Sequence, residues 1–188
     1  MKKGTVWPAV AGALMTFAVG AWAAGEAQSQ DAGSSAIREI PKGYRDWTMI
    51  SIASVGGNFK DLRVKLGNDA AIKAYRDGSP AFPDGAIIAR LAYKQATSDE
   101  NNAAFAAAAK GRLSPEDTTK LLAESFVAGA PTNVQFMVKD STKYAATGGW
   151  GFAQFTDGKP DDGPALKTCF GCHAPAKGHD FVFTRYSP

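Results

Sequence analysis

Sulfur and imidazole are scarce in this chain. Its 188 residues include two cysteines, two histidines and four methionines. Two cysteines cannot build a disulfide framework. Two histidines beside them leave few donors for an ordinary zinc site. No basic run and no aromatic ladder is present, which speaks against a nucleic-acid partner. No internal repeat is visible. Charge is nearly balanced. The formal charge is +3, and it falls to +1 without residues 1–23, which hold two lysines and no acid (19 basic against 18 acidic). The remaining residues suffice for one domain with its own core.

Both cysteines lie in one run, Lys167-Thr168-Cys169-Phe170-Gly171-Cys172-His173. Cys-x-x-Cys-His is the attachment signature of a c-type haem. The thiols of Cys169 and Cys172 can each add to one haem vinyl group. His173, held beneath the ring, then offers a nitrogen to the iron. The same spacing also serves a dithiol redox pair, half of a zinc site or a structural disulfide. Zinc would need more ligands than His173 and His179, the only histidines. A redox pair would need a βαβ context, which a motif so near the C-terminus does not supply. Attachment of one haem c ranks first.

The other end of the sequence agrees with that chemistry. Lys2 and Lys3 precede an apolar, uncharged stretch from Thr5 to Gly20, and Ala21-Trp22-Ala23 has the small-x-small form of a cleavage site. Residues 1–23 read as a signal peptide cut after Ala23. A membrane anchor is the alternative, but the stretch is short for a span and contains Pro8. Haem is joined to such motifs outside the cytoplasm, so a bacterial periplasm is the expected address. Residues 24–39, rich in Ala, Gly, Ser and Gln near their start, read as a disordered leader. The folded domain is expected over 40–188.

Within it, hydrophobic alternation predicts strands over 44–53, 86–94, 133–140 and 150–155, with a last strand over 181–186. A helix is predicted over 68–76, with Asn68 or Asp69 as its cap and Gly78 at its close. Ser79 to Gly85 is a turn with two prolines and a glycine. The Ala-rich residues 103–110 and the Ser114-Pro115-Glu116-Asp117 start predict two helices within 97–130. Their apolar stripe is thin, so this stretch is expected as a surface excursion. Residues 157–164 read as a polar loop, and the haem motif as a short helical turn. The fold class is α+β: mainly an antiparallel β-sheet with a few helices and a C-terminal c-type haem motif.

Several segments together resemble a known family. These are Tyr44-Arg45-Asp46-Trp47, Gly67-Asn68-Asp69, Phe82-Pro83-Asp84-Gly85, Lys143-Tyr144, Trp150-Gly151-Phe152, and the haem motif followed by Asp180 to Tyr186. They resemble the cytochrome P-460 family over most of residues 40–188. The resemblance implies a mostly antiparallel fold, often dimeric, with one mono-haem c per chain. It implies one of two chemistries. Some relatives oxidise hydroxylamine, and sometimes nitric oxide, with a haem cross-linked to a lysine. Others, the β-sheet cytochromes c′, lack the cross-link and bind nitric oxide or other gases. Fold alone does not choose between them.

His173 is the proximal ligand by motif, and the opposite side of the iron decides function. In the family the cross-linking lysine lies on a strand near the distal pocket, so the strand after Gly85 is the place to search. It offers Arg90 and Lys94. Arg90 in the lysine's place would depart from the enzyme pattern. Facing the haem, it could pair with a propionate or donate to a bound ligand. Lys94 near a strand end also fits a solvated side chain. Phe82 is a candidate lid over the iron or a core residue. Met49 or Met137 as sixth ligand would make an electron carrier. His179 reads as a surface residue on the same side as His173. Trp150, Phe181 and Phe183 are expected around the porphyrin.

Three functions compete. The first is a periplasmic haem protein acting on small nitrogen species, by oxidising hydroxylamine or nitric oxide or by binding nitric oxide. It calls for a small-molecule ligand and a periplasmic electron-transfer partner, and the resemblance adds a homodimer as the expected assembly. The second is a simple electron-transfer cytochrome with His/Met ligation. The third is a binding module without haem.

Overall fold

The computed structural model describes Met1 and residues 35–187. The expected signal peptide and the leader up to residue 34 lie outside the described residues. The described residues form a six-stranded antiparallel sheet in which each strand pairs with the next in sequence. The strands are β1 (Thr48–Val55), β2 (Asp61–Gly67), β3 (Ile87–Ala96), β4 (Val127–Lys139), β5 (Trp150–Thr156) and β6 (Lys159–Pro160). Four α-helices accompany them: α1 (Asp69–Arg76), α2 (Asp99–Ala109), α3 (Pro115–Ala123) and α4 (Pro164–His173). The α+β class expected from the sequence is what the chain adopts.

Each boundary has a local cause. Asn68 caps α1 by accepting the Ala71 N–H at 3.1 Å. The same oxygen accepts the Ile87 N–H at 3.0 Å, and its amide donates to the Gly85 carbonyl at 2.9 Å. One side chain thus ties the helix start to the entry of β3. Ser114 caps α3 with Pro115 in its first turn, as the sequence signals. Helices α2 and α3 stand at the end of the β3–β4 hairpin, with Phe105, Leu113 and Leu121 exposed. This is the expected surface excursion.

The sheet is covered on both sides. On one, Leu66, Ala89, Leu91, Val134, Phe136, Ala153 and Phe155 form a core. The residues Ile37, Ile40, Tyr44 and Trp47 pack against it. On the other, Ile50, Ile72, Ala86, Ile88, Trp150 and Val182 cluster beside α1 and the chain's end.

Five expectations need correction. Residues 35–39, assigned to the leader, belong to the domain. Ala36 is buried, its N–H donates to the Phe152 carbonyl, and its carbonyl accepts from Tyr144 Oη. Gly151 makes room for this, because a Cβ there would lie 2.4 Å from the Tyr144 ring. The first strand begins at Thr48 rather than residue 44, because Tyr44–Asp46 is a 3-10 turn. Its alternation also slips at a bulge between Met49 and Ser51, which buries Ile50 and leaves Ile52 exposed. Strand β2 was not expected, although Leu62, Val64 and Leu66 alternate with Arg63 and Lys65. Part of the polar loop forms β6, turned by Asp157-Gly158 with φ of 51° and 76°. Residues 181–186 do not form a strand. Asp180 and Phe181 both have positive φ (50° and 63°), which swings the chain off the sheet edge. It returns by side-chain packing and by the Ser187 N–H to Ile50 carbonyl bond.

Candidate haem site

Helix α4 packs against β5 and ends in the motif, so Cys169 and His173, four residues apart, share one helical face. Both line a cavity of about 620 Å³ between α4, the C-terminal segment and one face of the sheet. Cys172 is exposed, and neither thiol is in a disulfide. Burial, followed by the neighbouring Cys172, pushes the Cys169 thiol up from its ordinary value.

The His173 ring is held on two sides. Phe152 and Phe183 flank it, each with its centroid 5.2 Å away. Its Nδ1 lies 2.8 Å from the Phe181 carbonyl. A carbonyl only accepts, so Nδ1 carries the hydrogen, and the Nε2 lone pair is left for a metal. Among the described residues no group of three or more His, Cys, Asp and Glu could hold a metal ion. A porphyrin would bring its own nitrogen donors to an iron held at His173.

The sheet face opposite is organised in rows, because directly paired residues share a face. One row runs Gly67, Ile88, Met137 and Phe152 across β2 to β5. The next runs Ser51, Lys65, Arg90, Gln135 and Gln154 across β1 to β5. A third holds Ala53, Arg63, Ala92 and Asn133. The cavity wall is thus apolar near His173 and cationic beyond it. Arg63, Lys65, Arg90 and Arg185 line it, and no carboxylate is among the described lining residues.

These cations are not relaxed. Burial, and then Arg63, push Arg90 below its ordinary value, to about 10. Its Nη2 donates to Asn133 Oδ1 at 2.8 Å, but its buried Nε has no partner among the described residues. Burial, followed by Arg63 and Arg90, lowers Lys65 as well. Arg63 is held by Asp61 at 3.0 Å. A buried donor without an acceptor is costly, so the wall is suited to an anionic group.

Large apolar faces edged by two carboxylates are what a haem presents. The apolar row, the cationic row, and exposed Ile52 (63%) and Phe183 (59%) at the same cavity fit that outline.

The other sequence candidates divide cleanly. Arg90 and Met137 line the cavity. Lys94 is exposed, paired in register with Asp61, and absent from the lining. Phe82 is packed between Tyr75 (4.9 Å) and Trp150 (5.5 Å) rather than over the cavity. Met49 is exposed and outside the lining. His179 sits at a separate hollow of about 250 Å³ beside Tyr75. Sequence reasoning missed Lys65, Arg63 and Gln135. The strict charged–apolar alternation of β2 was the available signal for the first two.

The family model for cytochrome P-460 matches residues 41–184, which include Cys169, Cys172 and His173. The chain belongs to the cytochrome P-460 family. No curated protein matches the chain significantly. Membership in the cytochrome P-460 family supports a c-type cytochrome with a haem cofactor, and the cavity at His173 is where its residues fit one.

Proposed function

We propose that this cytochrome P-460 family member is an exported, periplasmic protein. Cys169 and Cys172 hold a single haem by thioether bonds, and His173 ligates its iron. We further propose that it acts on small nitrogen species, either oxidising hydroxylamine or nitric oxide or binding nitric oxide. When bound, the haem would supply an iron able to exchange electrons and to bind small ligands.

The observation that carries this reading is the buried Nε of half-buried Arg90, without a partner among the described residues, in the wall of the cavity that His173 lines. The protein's own groups do the remaining work. Phe152 and Phe183 flank the imidazole and keep it in place. Arg90 and Lys65 favour negative charge in the cavity, whether on a propionate or on a bound nitrogen–oxygen ligand. A periplasmic redox protein would exchange electrons with it, and a homodimer fits the family.

Choice between the nitrogen chemistries rests on a lysine. Lys65 is the lysine among the described residues of the cavity wall, where burial lowers its affinity for a proton. Peptide mass spectrometry of the purified haem protein decides the matter. A haem peptide still joined to a Lys65 peptide supports hydroxylamine oxidation. A haem peptide free of any lysine supports nitric oxide binding.

Met137 supports a second reading, because it lines the same cavity. As sixth ligand it would make a simple electron carrier. That reading expects a six-coordinate low-spin spectrum and no reaction with nitric oxide. The nitrogen-species reading expects a five-coordinate or water-ligated ferric iron and a ferrous form that takes up nitric oxide.

A further inference from the structure

One charged pair is buried next to the segment that holds His173. Lys139, at the end of β4, and Asp180 are 8% and 10% exposed, with Nζ 2.7 and 2.8 Å from the two carboxylate oxygens. Nζ also donates to the Gly148 carbonyl at 3.1 Å and lies over the Trp150 ring. Asp180 is fixed at three more points. Its Oδ2 accepts the Phe82 N–H at 2.8 Å, its carbonyl accepts Trp150 Nε1–H at 2.7 Å, and its N–H donates to the Lys177 carbonyl.

These contacts fix a turn that the backbone alone disfavours. Asp180 and Phe181 are successive non-glycine residues in the left-handed region, a conformation that persists only where the surroundings over-determine it. Gly148 leaves space for the Phe181 ring, since a Cβ there would lie 2.1 Å from it. The product of the turn is the direction of one carbonyl. Phe181 O is 2.8 Å from His173 Nδ1.

We propose that Lys139 and Asp180 are positioning residues for the proximal histidine. Their ion pair holds the Asp180–Phe181 turn so that a neutral carbonyl, rather than the adjacent carboxylate, accepts the His173 Nδ1 hydrogen. The distinction is chemical. A carboxylate acceptor draws that hydrogen more strongly than a carbonyl, makes Nε2 a stronger donor and stabilises ferric iron. Lys139 keeps the Asp180 carboxylate neutralised and turned away. The inference rests on iron ligation by His173, proposed above.

The test uses the haem-loaded protein and its Lys139→Met, Lys139→Arg and Trp150→Phe variants. Resonance Raman of the ferrous form reads the iron–histidine stretch, and redox titration reads the potential. Lys139→Met should raise the stretching frequency and favour the ferric form about tenfold, which is 59 mV for one electron. Lys139→Arg should restore both towards wild type. A less stable Lys139→Met protein with unchanged frequency and potential would show a purely structural pair and overturn the inference. Should Lys139→Met fail to load haem, Trp150→Phe decides. It removes one hydrogen bond to the turn, and the frequency must shift or broaden, while an unmoved band refutes the proposal. An iron–histidine band missing from the wild type would instead refute ligation by His173.

Discussion

Replacing Arg90 with leucine should change the stability of this protein in opposite directions with and without haem. Without haem, the guanidinium is a largely buried cation that donates to Asn133, and its Nε has no partner among the described residues. Its drop below the ordinary guanidinium value to about 10 corresponds to roughly 3 kcal/mol of unfavourable charge burial at neutral pH. Partial solvent access reduces this to about 2 kcal/mol, and losing the Asn133 bond returns about 1 kcal/mol. The haem-free Arg90→Leu chain should therefore be about 1 kcal/mol more stable, or about 2–4 °C higher in melting temperature. With haem bound, the cation has an anion to face. Its removal then strands that anion at a cost of about 1–3 kcal/mol. Urea unfolding at pH 7 measures both, using the haem-loaded protein and a Cys169→Ser/Cys172→Ser chain that cannot attach haem. The folded-state value lies below the unfolded one, so the penalty is fully present below about pH 10 and fades as pH rises from there towards the unfolded value. The haem-free difference should shrink accordingly. A variant less stable in both forms would refute the idea that Arg90 waits for an anion.

Other outcomes follow from the same geometry. Asn68→Ala removes a cap and two further hydrogen bonds to the β3 entry, and should cost about 2 kcal/mol in urea unfolding. In haem-free protein, iodoacetamide should label exposed Cys172 before the partly buried Cys169, whose thiol burial pushes up. Peptide mapping over time reads that order, and equal rates would contradict it. Cys172→Ala should lose most covalent haem, so unchanged haem staining on a denaturing gel would exclude this motif as the attachment point.

Four of the six strands were legible as runs of alternating residues, and the motif with its histidine was legible as spacing. What escaped had identifiable causes. Strand β2 is short and half charged, so its apolar half looks unremarkable until its charged half is seen to face a cavity. The turn at Asp157-Gly158 carries a hairpin signal, yet β6 has only two residues to show for it. The tail alternates like a strand, but two left-handed residues before it redirect the chain. Arg90 was legible because a charge in mid-strand demands an explanation. Phe82 was not placed, because its fate depends on Tyr75 and Trp150, which the sequence does not bring together. Nor does the sequence reveal that Lys139 reaches Asp180 across 41 residues.

Covalent haem at Cys169 and Cys172 is the premise beneath every functional statement, and extraction tests it most directly. The purified protein is treated with acidified acetone and the pellet assayed by the reduced pyridine haemochrome spectrum. The pigment should stay with the polypeptide and show the band of a haem with both vinyl groups saturated. Pigment released into the acetone, or a colourless protein, would contradict it.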